Sequence, residues 1–377
     1  MNSFVNITDV CSEIFAGGDA PKSNMSESKT DAYRIPIFSN GEANDGLYGY
    51  TNFARVTQPS ITVSARGTIG FVAVRNEPFV PIVRLISLTP DPEKIEIRYL
   101  YYAIQNYKFD GSGTSIPQLT VPMLKKYSFP LPTKEQQLAI IDQLDNVCNL
   151  ISLRKQQLSK LDELVKSRFI EMFGDPNIEF KYESYKFKEF ASDMTKGPFG
   201  SDMKKDLFVP KGEDTYKVYI QANAIQSDQN IGDYYISKEY FDSKIFRFEV
   251  HPGDYIITCD GTLGKHLKLN DEMEKGVISP SLLRLTLNEE KITSEYFEYL
   301  WDLYMLLLMK KEARNACLVH LPSAKVIGEI DIPFPPFTMQ KEFSKFVHYT
   351  DKSKLEIQKS LEKLETLKKA LMQKYFG

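Results

Sequence analysis

Paired cysteines are missing from this 377-residue chain. Its four cysteines (Cys11, Cys148, Cys259 and Cys317) are scattered, with no Cys-x-x-Cys pair and no histidine nearby at ligand spacing. This pattern argues for a reducing cytosol and against a zinc site. Long apolar runs are also missing. The longest, Leu303 to Met309, is far short of a membrane span and reads as buried helix. The opening MNSFVNITDV lacks a cationic stretch followed by an apolar one, so no secretory signal is expected. There is no excess of positive charge: 47 Lys and Arg face 50 Asp and Glu, for a net charge of −3. A stand-alone nucleic-acid binder is usually basic, so contact with DNA would have to come from local patches or from partner subunits. The four histidines share no spacing, no Ser-His-Asp or Cys-His arrangement can be argued, and there is no Gly-x-x-x-x-Gly-Lys-Ser/Thr loop.

What the chain does have is itself, twice. Gln137 to Gly174 returns as Gln340 to Gly377 at a constant offset of 203, placing Leu144 on Val347, Leu158 on Leu361, Leu161 on Leu364 and Phe173 on Phe376. Pro130 and Pro132 fall on Pro333 and Pro335. Upstream the offset shrinks in steps: Lys94-Ile95 and Tyr99 match Lys291-Ile292 and Tyr296, Gly67-Thr68-Ile69-Gly70 matches Gly261-Thr262-Leu263-Gly264, Asn40 pairs with Asn223, and Gly17 with Gly197. A period near 200 residues is far above that of solenoids and propellers. It denotes a duplicated domain, and 42% hydrophobic residues suffice for two cores. The expected divisions are a globular unit at 1–132, a helix at 133–174, a second unit at 175–335 and a second helix at 336–377.

Each copy ends in a helix of about 40 residues, roughly 60 Å long. Thr133 with Gln136 has the form of a capping box, and Gly174 followed by Pro176 closes the far end. Leu144, Val147, Ile151, Leu158, Leu161 and Val165 follow a 3–4 spacing, as do Val347, Ile357, Leu361, Leu364 and Leu371. Arg154, Thr350, Lys354 and Lys368 interrupt the two seams. Such helices most simply pack on each other; the alternative is that each lies on its own domain.

In the globular units, mixed strands and short helices point to an α+β fold. Thr215 to Ile225 alternates, with Tyr219, Gln221 and Asn223 on one face. That face suits base edges, since Asn and Gln pair bidentately with adenine, with a corresponding face around Asn40 in unit one, or it is the solvent side of a half-buried strand. The Gly-Thr-x-Gly turns follow strands in both copies and read either as hairpin turns or as backbone cradles for phosphate. Their threonines, Thr68 and Thr262, and the neighbouring cations Arg66 and Lys265 are candidates for DNA contact, the two cations at phosphates. Arg66 stands where the second copy has Asp260, so the two units should not read the same sequence. The loop KGPFGSDMKK reads either as a solvated loop or as a phosphate-binding one, in which Ser201, Lys204 and Lys205 would contact the DNA backbone.

Three enzyme-like patterns fail. Phe109 to Gly113 matches an F-x-G-x-G loop that binds S-adenosylmethionine, but the stretch before it, Tyr99 to Asn106, reads as helix where such a loop needs a strand. Pro335-Pro336-Phe337 is headed by Phe334, which cannot hold an adenine amino group. Asp175, Glu179 and Lys181 are crowded into what reads as a charged linker, unlike a nuclease metal site.

Two domains that each open near a Gly-rich loop, carry a Gly-Thr-x-Gly turn and end in Pro-x-Pro plus a long helix closing on Phe-Gly resemble the specificity subunit of Type I restriction-modification enzymes. The resemblance covers essentially the whole chain. It implies two target-recognition domains, one per half of a bipartite site in double-stranded DNA, joined by two long antiparallel coiled-coil helices with pseudo-twofold symmetry. It implies docking to two modification subunits, which carry S-adenosylmethionine and methylate adenine, and to restriction subunits supplying translocation with ATP and Mg. This chain would then hold no cofactor, catalyse nothing and work in the cytoplasm. The competing readings are an interaction scaffold that never touches DNA and a self-contained methyltransferase.

Overall fold

The computed structural model describes residues 3–107, 118–175, 179–228, 230–305, 307–309 and 320–377. The F-x-G-x-G segment at 109–113, Pro176 and Cys317 lie outside the described residues. The chain forms two compact units. One comprises Met1–Gln157 with Ile357–Gly377, the other Leu158–Glu356. Among the described residues no helix is long and apolar enough to cross a membrane.

Unit one contains β1 (Ser3–Asn6), β2 (Cys11–Ala16), β3 (Ile35–Phe38), β4 (Leu47–Thr51), β5 (Ser60–Val63), β6 (Val72–Arg75), β7 (Val80–Pro81), β8 (Ile86–Pro90) and β9 (Ser128–Leu131). An antiparallel sheet runs β2-β8-β5-β6, and a smaller one runs β4-β3-β7 with β3 and β7 parallel. β1 pairs with β9. β5 reads Ser-Ile-Thr-Val and is buried on both faces, which fits a β-branched central strand.

Unit two repeats this plan. After a small hairpin, β10 (Gly174–Asp175) with β11 (Glu179–Phe180), come β12 (Ser184–Lys186), β13 (Ala191–Lys196), β14 (Thr215–Tyr219), β15 (Tyr234–Ser237), β16 (Glu249–Val250), β17 (Tyr255–Thr258), β18 (His266–Lys268), β19 (Gly276–Ile278), β20 (Leu282–Leu287) and β21 (Asp331–Pro333). The sheets are β13-β20-β17-β18 and β15-β14-β19-β16, with β14 and β19 parallel, and β12 pairs with β21. Every sheet of unit one therefore has its counterpart, the second copy adding β16 at one edge. The stretch expected as a charged linker around Asp175 and Lys181 is instead the β10–β11 hairpin, with Lys181 Nζ bonded to the Glu171 carbonyl.

The long helices are Lys134–Phe173 and Phe337–Phe376. Thr133 and Gln136 form the expected capping box, with Gln136 N donating to Thr133 Oγ1 (3.3 Å) and Thr133 N to Gln136 Oε1 (3.2 Å). Gly174, at φ +103°, takes the conformation open to glycine just past the first helix. Within unit one, Gln143 meets Tyr375 and Lys155 meets Glu365, so the helices run antiparallel. Within unit two, Asp162 meets Lys354 and Arg168 meets Glu342, again antiparallel. Burial along both helices follows the 3–4 seam. Leu144, Val147, Val165, Val347 and Leu361 are buried, and Ile151, Leu158, Leu161, Ile357 and Leu364 are half-buried, as are Arg154, Lys354 and Lys368.

The helix ends also enter the domain cores. Leu144, Met372 and Phe376 belong to the core of unit one, and Val165, Phe169, Phe173 and Phe343 to that of unit two. The two packing arrangements that the spacing left open thus coexist.

Sequence identity between the copies has a structural cause. The buried Gln137 donates to the carbonyls of Pro132 (3.0 Å) and Lys94 (3.3 Å) and accepts from Glu96 N (2.8 Å). Gln340 does the same with Pro335 (3.1 Å), Lys291 (3.3 Å) and Thr293 N (3.0 Å). Tyr99 Oη donates to Pro130 O and Tyr296 Oη to Pro333 O, both at 2.7 Å. Buried backbone groups need partners, and the same side chains supply them in both copies.

Candidate nucleic-acid interface

In each unit, the loops that carry the candidate residues are tied together at one end of the sheets. In unit two, Gly197 N donates to Leu282 O (2.9 Å), and a Cβ at Gly197 would lie 2.0 Å from Ser279 O. Only glycine permits that approach. Ser279 N donates to Tyr219 O, Cys259 N to Ser281 O and Leu321 N to Cys259 O, at 2.8–2.9 Å. Unit one matches three of these four bonds, Gly17 N to Leu85 O, Ile82 N to Phe38 O and Leu119 N to Ala65 O, at 2.8–3.0 Å, while Ala65 N, the counterpart of Cys259 N, donates to Asn40 Oδ1 instead. A Cβ at Gly17 would lie 2.4 Å from Pro81 O. The pairing of Gly17 with Gly197 is therefore a shared close approach.

The Gly-Thr-x-Gly segments connect antiparallel strands, β5 to β6 and β17 to β18, so they are hairpin turns. All four glycines have positive φ: +68° and +84° at Gly67 and Gly70, +67° and +74° at Gly261 and Gly264. Trp301 Nε1 donates to Gly264 O (2.8 Å), and Thr258 Oγ1 accepts from Lys265 N (3.0 Å) and donates to Thr262 O, which fixes the second turn. Thr68, Thr262, Arg66 and Lys265 are exposed on these turns.

The alternating stretch departs from expectation. β14 ends at Tyr219, and Gln221–Ile225 is a π-helical turn, so Gln221 and Asn223 do not project from a strand. Tyr219 is buried, donates its hydroxyl to Glu274 O (2.7 Å) and has its pKa pushed up to about 12 by burial. It belongs to the core. Asn223 accepts from Ile220 N (3.3 Å) and donates to Asp233 Oδ1 (3.1 Å). A side chain that caps its own turn competes with a regular ladder, and here the cap wins. Gln221 lies against the Gly261 turn, its Nε2 3.6 Å from where a Cβ would stand.

Asn40 is likewise engaged, accepting from Ala65 N (2.7 Å) and donating to Val83 O (2.6 Å). It braces three loops. The backbone bonds that match Phe38 to Tyr219 put Asn40 in register with Gln221, two residues before the Asn223 suggested by sequence offset.

Ser201, Lys204 and Lys205 are exposed further along the Gly197 loop. Tyr240 Oη holds Asp202 O (3.0 Å) and Met203 packs on the core of the second sheet. No hydrogen bond or ion pair among the described residues joins these lysines to the Gly261 turn.

Sequence reasoning missed three features. Val83 and Arg84 have φ +52° and +67°, a conformation that is strained for side-chain-bearing residues, and Arg84 is exposed. Arg66 Nη2 donates to Gln118 Oε1 (2.9 Å), and His320 Nδ1 lies 2.5 Å from Asp260 Oδ1. Gln118 and His320 precede Leu119 and Leu321, and Thr120 and Ser323 cap the following short helices. That Leu-then-cap pattern was the available signal.

The family profile described as Type I restriction modification DNA specificity domain matches residues 2–163 and again 193–369. The putative type I specificity subunit S.MpnORF507P of Mycoplasma pneumoniae is 34% identical over 168 residues, 42% of this chain and 46% of the relative. The match thus spans about half of that relative's length. The putative MjaX specificity subunit of Methanocaldococcus jannaschii is 23% identical over 302 residues, 77% of this chain and 69% of the relative. Among solved structures, the S subunit of a Type-I restriction-modification system from M. genitalium aligns over 100% of this chain and 96% of its own, at TM-score 0.53 and 18% identity. A chain from a structure explaining complex assembly and conformational transition of the type I R-M system aligns over 99% and 97%, at TM-score 0.61 and 13% identity. With both copies matched by one profile and the doubled fold shared with these chains, the protein belongs to the Type I restriction modification DNA specificity domain family.

Proposed function

We propose that this chain is the DNA-reading subunit of a Type I restriction-modification complex, working in the cytoplasm. Each domain reads one half of a bipartite site in double-stranded DNA, and the paired helices set the distance between the halves. The observation that carries this is the pair of equivalent loop clusters, built on one scaffold but showing different side chains to solvent. A shared scaffold suits a common duplex backbone, and different side chains suit different half-sites. Lys204, Lys205 and Lys265 serve as phosphate contacts, with Ser201, Thr68 and Thr262 as hydroxyl donors to the backbone. The half-buried amide of Gln221 is one base-reading group of the second cluster.

The chain catalyses nothing in this reading. Two modification subunits bring S-adenosylmethionine and methylate adenine, and restriction subunits use ATP and Mg. A net charge of −3 fits partners that supply much of the positive channel. The test is salt-dependent binding to duplex DNA, combined with mapping of methylated adenines in cells expressing this chain and its modification subunit. A bipartite methylated motif is expected. Lys204→Ala with Lys205→Ala should flatten the log–log salt slope by about 0.9 for each phosphate no longer neutralised, while weakening cognate and unrelated DNA alike. A salt slope near zero, with no motif methylated, would leave only a protein scaffold.

A further inference from the structure

Arg66 and Asp260 occupy the same place in the two domains, directly after the residue whose carbonyl accepts from Leu119 N in unit one and from Leu321 N in unit two. Each reaches the residue just before that leucine. Arg66 bonds Gln118 Oε1 at 2.9 Å, and Asp260 meets His320 Nδ1 at 2.5 Å. Both pairs stand at the base of a Gly-Thr-x-Gly turn and both are accessible: Arg66 is exposed and Gln118 half-buried, while the Asp260 and His320 side chains are 43% and 69% exposed. The scaffold is thus preserved and the charge reversed.

That reversal bears on what the position touches. The phosphate backbone is negative in every half-site, so a position used for backbone contact has the same electrostatic requirement in both domains. A carboxylate at 260 violates it. Base edges differ between half-sites, and there opposite chemistry is what discrimination requires. A guanidinium with one N–H on Gln118 keeps further N–H groups for an acceptor-bearing edge, the pattern of guanine O6 and N7. A carboxylate with one oxygen on His320 keeps the other for an amino-bearing edge, such as cytosine N4. Gln118 and His320 hold their partners in orientation.

We propose that Arg66–Gln118 and Asp260–His320 are equivalent specificity-determining pairs, Arg66 selecting guanine in one half-site and Asp260 selecting an amino-bearing base, cytosine first, in the other. This rests on the DNA-reading function above and replaces the phosphate role expected for Arg66.

The test is selection from duplex libraries randomised in one half-site at a time, using the full chain with its modification subunits. In Arg66→Asp with Gln118→His, preference at one base pair of the first half-site should move from guanine to an amino-bearing base, by about 5- to 150-fold. The second half-site should be unchanged. Asp260→Asn, nearly the same shape, should relax one position of the second half-site only, so the idea remains testable should the double variant fail to fold. Uniform weakening across all sequences with a flatter salt slope would restore Arg66 to the phosphates and overturn the assignment, as would unchanged base preference in both variants. Those outcomes leave the wild-type motif intact. A wild-type chain that selects no motif would instead overturn the DNA-reading function, and this assignment with it.

Discussion

Gln340 is fully buried and completes three backbone groups that meet where a domain joins its helix. Gln340→Ala leaves Thr293 N–H and two carbonyls without that partner, and a buried group left unpaired costs about 1–3 kcal/mol. Unit two should lose at least that much stability in urea titration, and Gln137→Ala should act the same way on unit one. Glu295 offers a pH-dependent counterpart. Burial would raise its pKa, but hydrogen bonds from Ser344 and its own backbone N–H, with the neighbouring His348, hold it below the ordinary 4.5. Its folded pKa is therefore lower than its unfolded one. The stability it contributes is fully present above about 4.5 and is lost as pH falls through the folded value. In Glu295→Gln, unit two should be less stable at neutral pH and lose less on acidification than the wild type, as read from urea midpoints across that range. An unchanged acid limb would remove Glu295 from the account.

At the scale of elements, the helix seams separate burial from mere hydrophobicity. Leu361 is 6% exposed and lies on the seam, whereas Leu367, six residues on, is 46% exposed and lies off it. Leu361→Asp places an uncompensated charge in the seam and should cost about 3–5 kcal/mol, and Leu367→Asp less than about 0.5. Thermal melting of the two variants checks this; equal effects would mean that the 3–4 spacing is not what packs the helices. The same scale explains the failure at Thr215–Ile225. Alternation continues past Tyr219, but Asn223 caps Ile220 N and the backbone turns. Periodicity records which faces are apolar; it does not register a side chain that can satisfy a backbone donor three residues away.

Across the whole molecule, each domain is finished by the helix end of the other repeat. Phe376 packs on Tyr99 in unit one, centroids 5.0 Å apart, and Phe173 on Tyr296 in unit two, at 4.9 Å. Tyr99 and Phe173 belong to the first copy, Tyr296 and Phe376 to the second. A change at Phe376 should therefore destabilise unit one. Phe376→Ala should cost about 3–5 kcal/mol, and hydrogen exchange should show weakened protection in β5 and β8 while β17 and β20 keep theirs. Weakening confined to the second domain would contradict this arrangement.

The sequence by itself determined the duplication, the two long helices with their cap and seam, the glycines of the hairpin turns and the mixed α+β class, because each leaves a local or periodic trace: an offset, a 3–4 spacing, a residue that alone tolerates positive φ. Only the tertiary structure decided that Tyr219 is core, that Asn40 and Asn223 are engaged with protein, that Asn40 is in register with Gln221, and that Gln118 and His320 stand beside Arg66 and Asp260. Those facts depend on bonds between residues 25 to 60 positions apart in the chain, or on a turn chosen over a strand by one side-chain bond. Loop lengths differ between the copies, so the offset drifts where the loops carry the site, and hydrogen-bond register alone restores the correspondence.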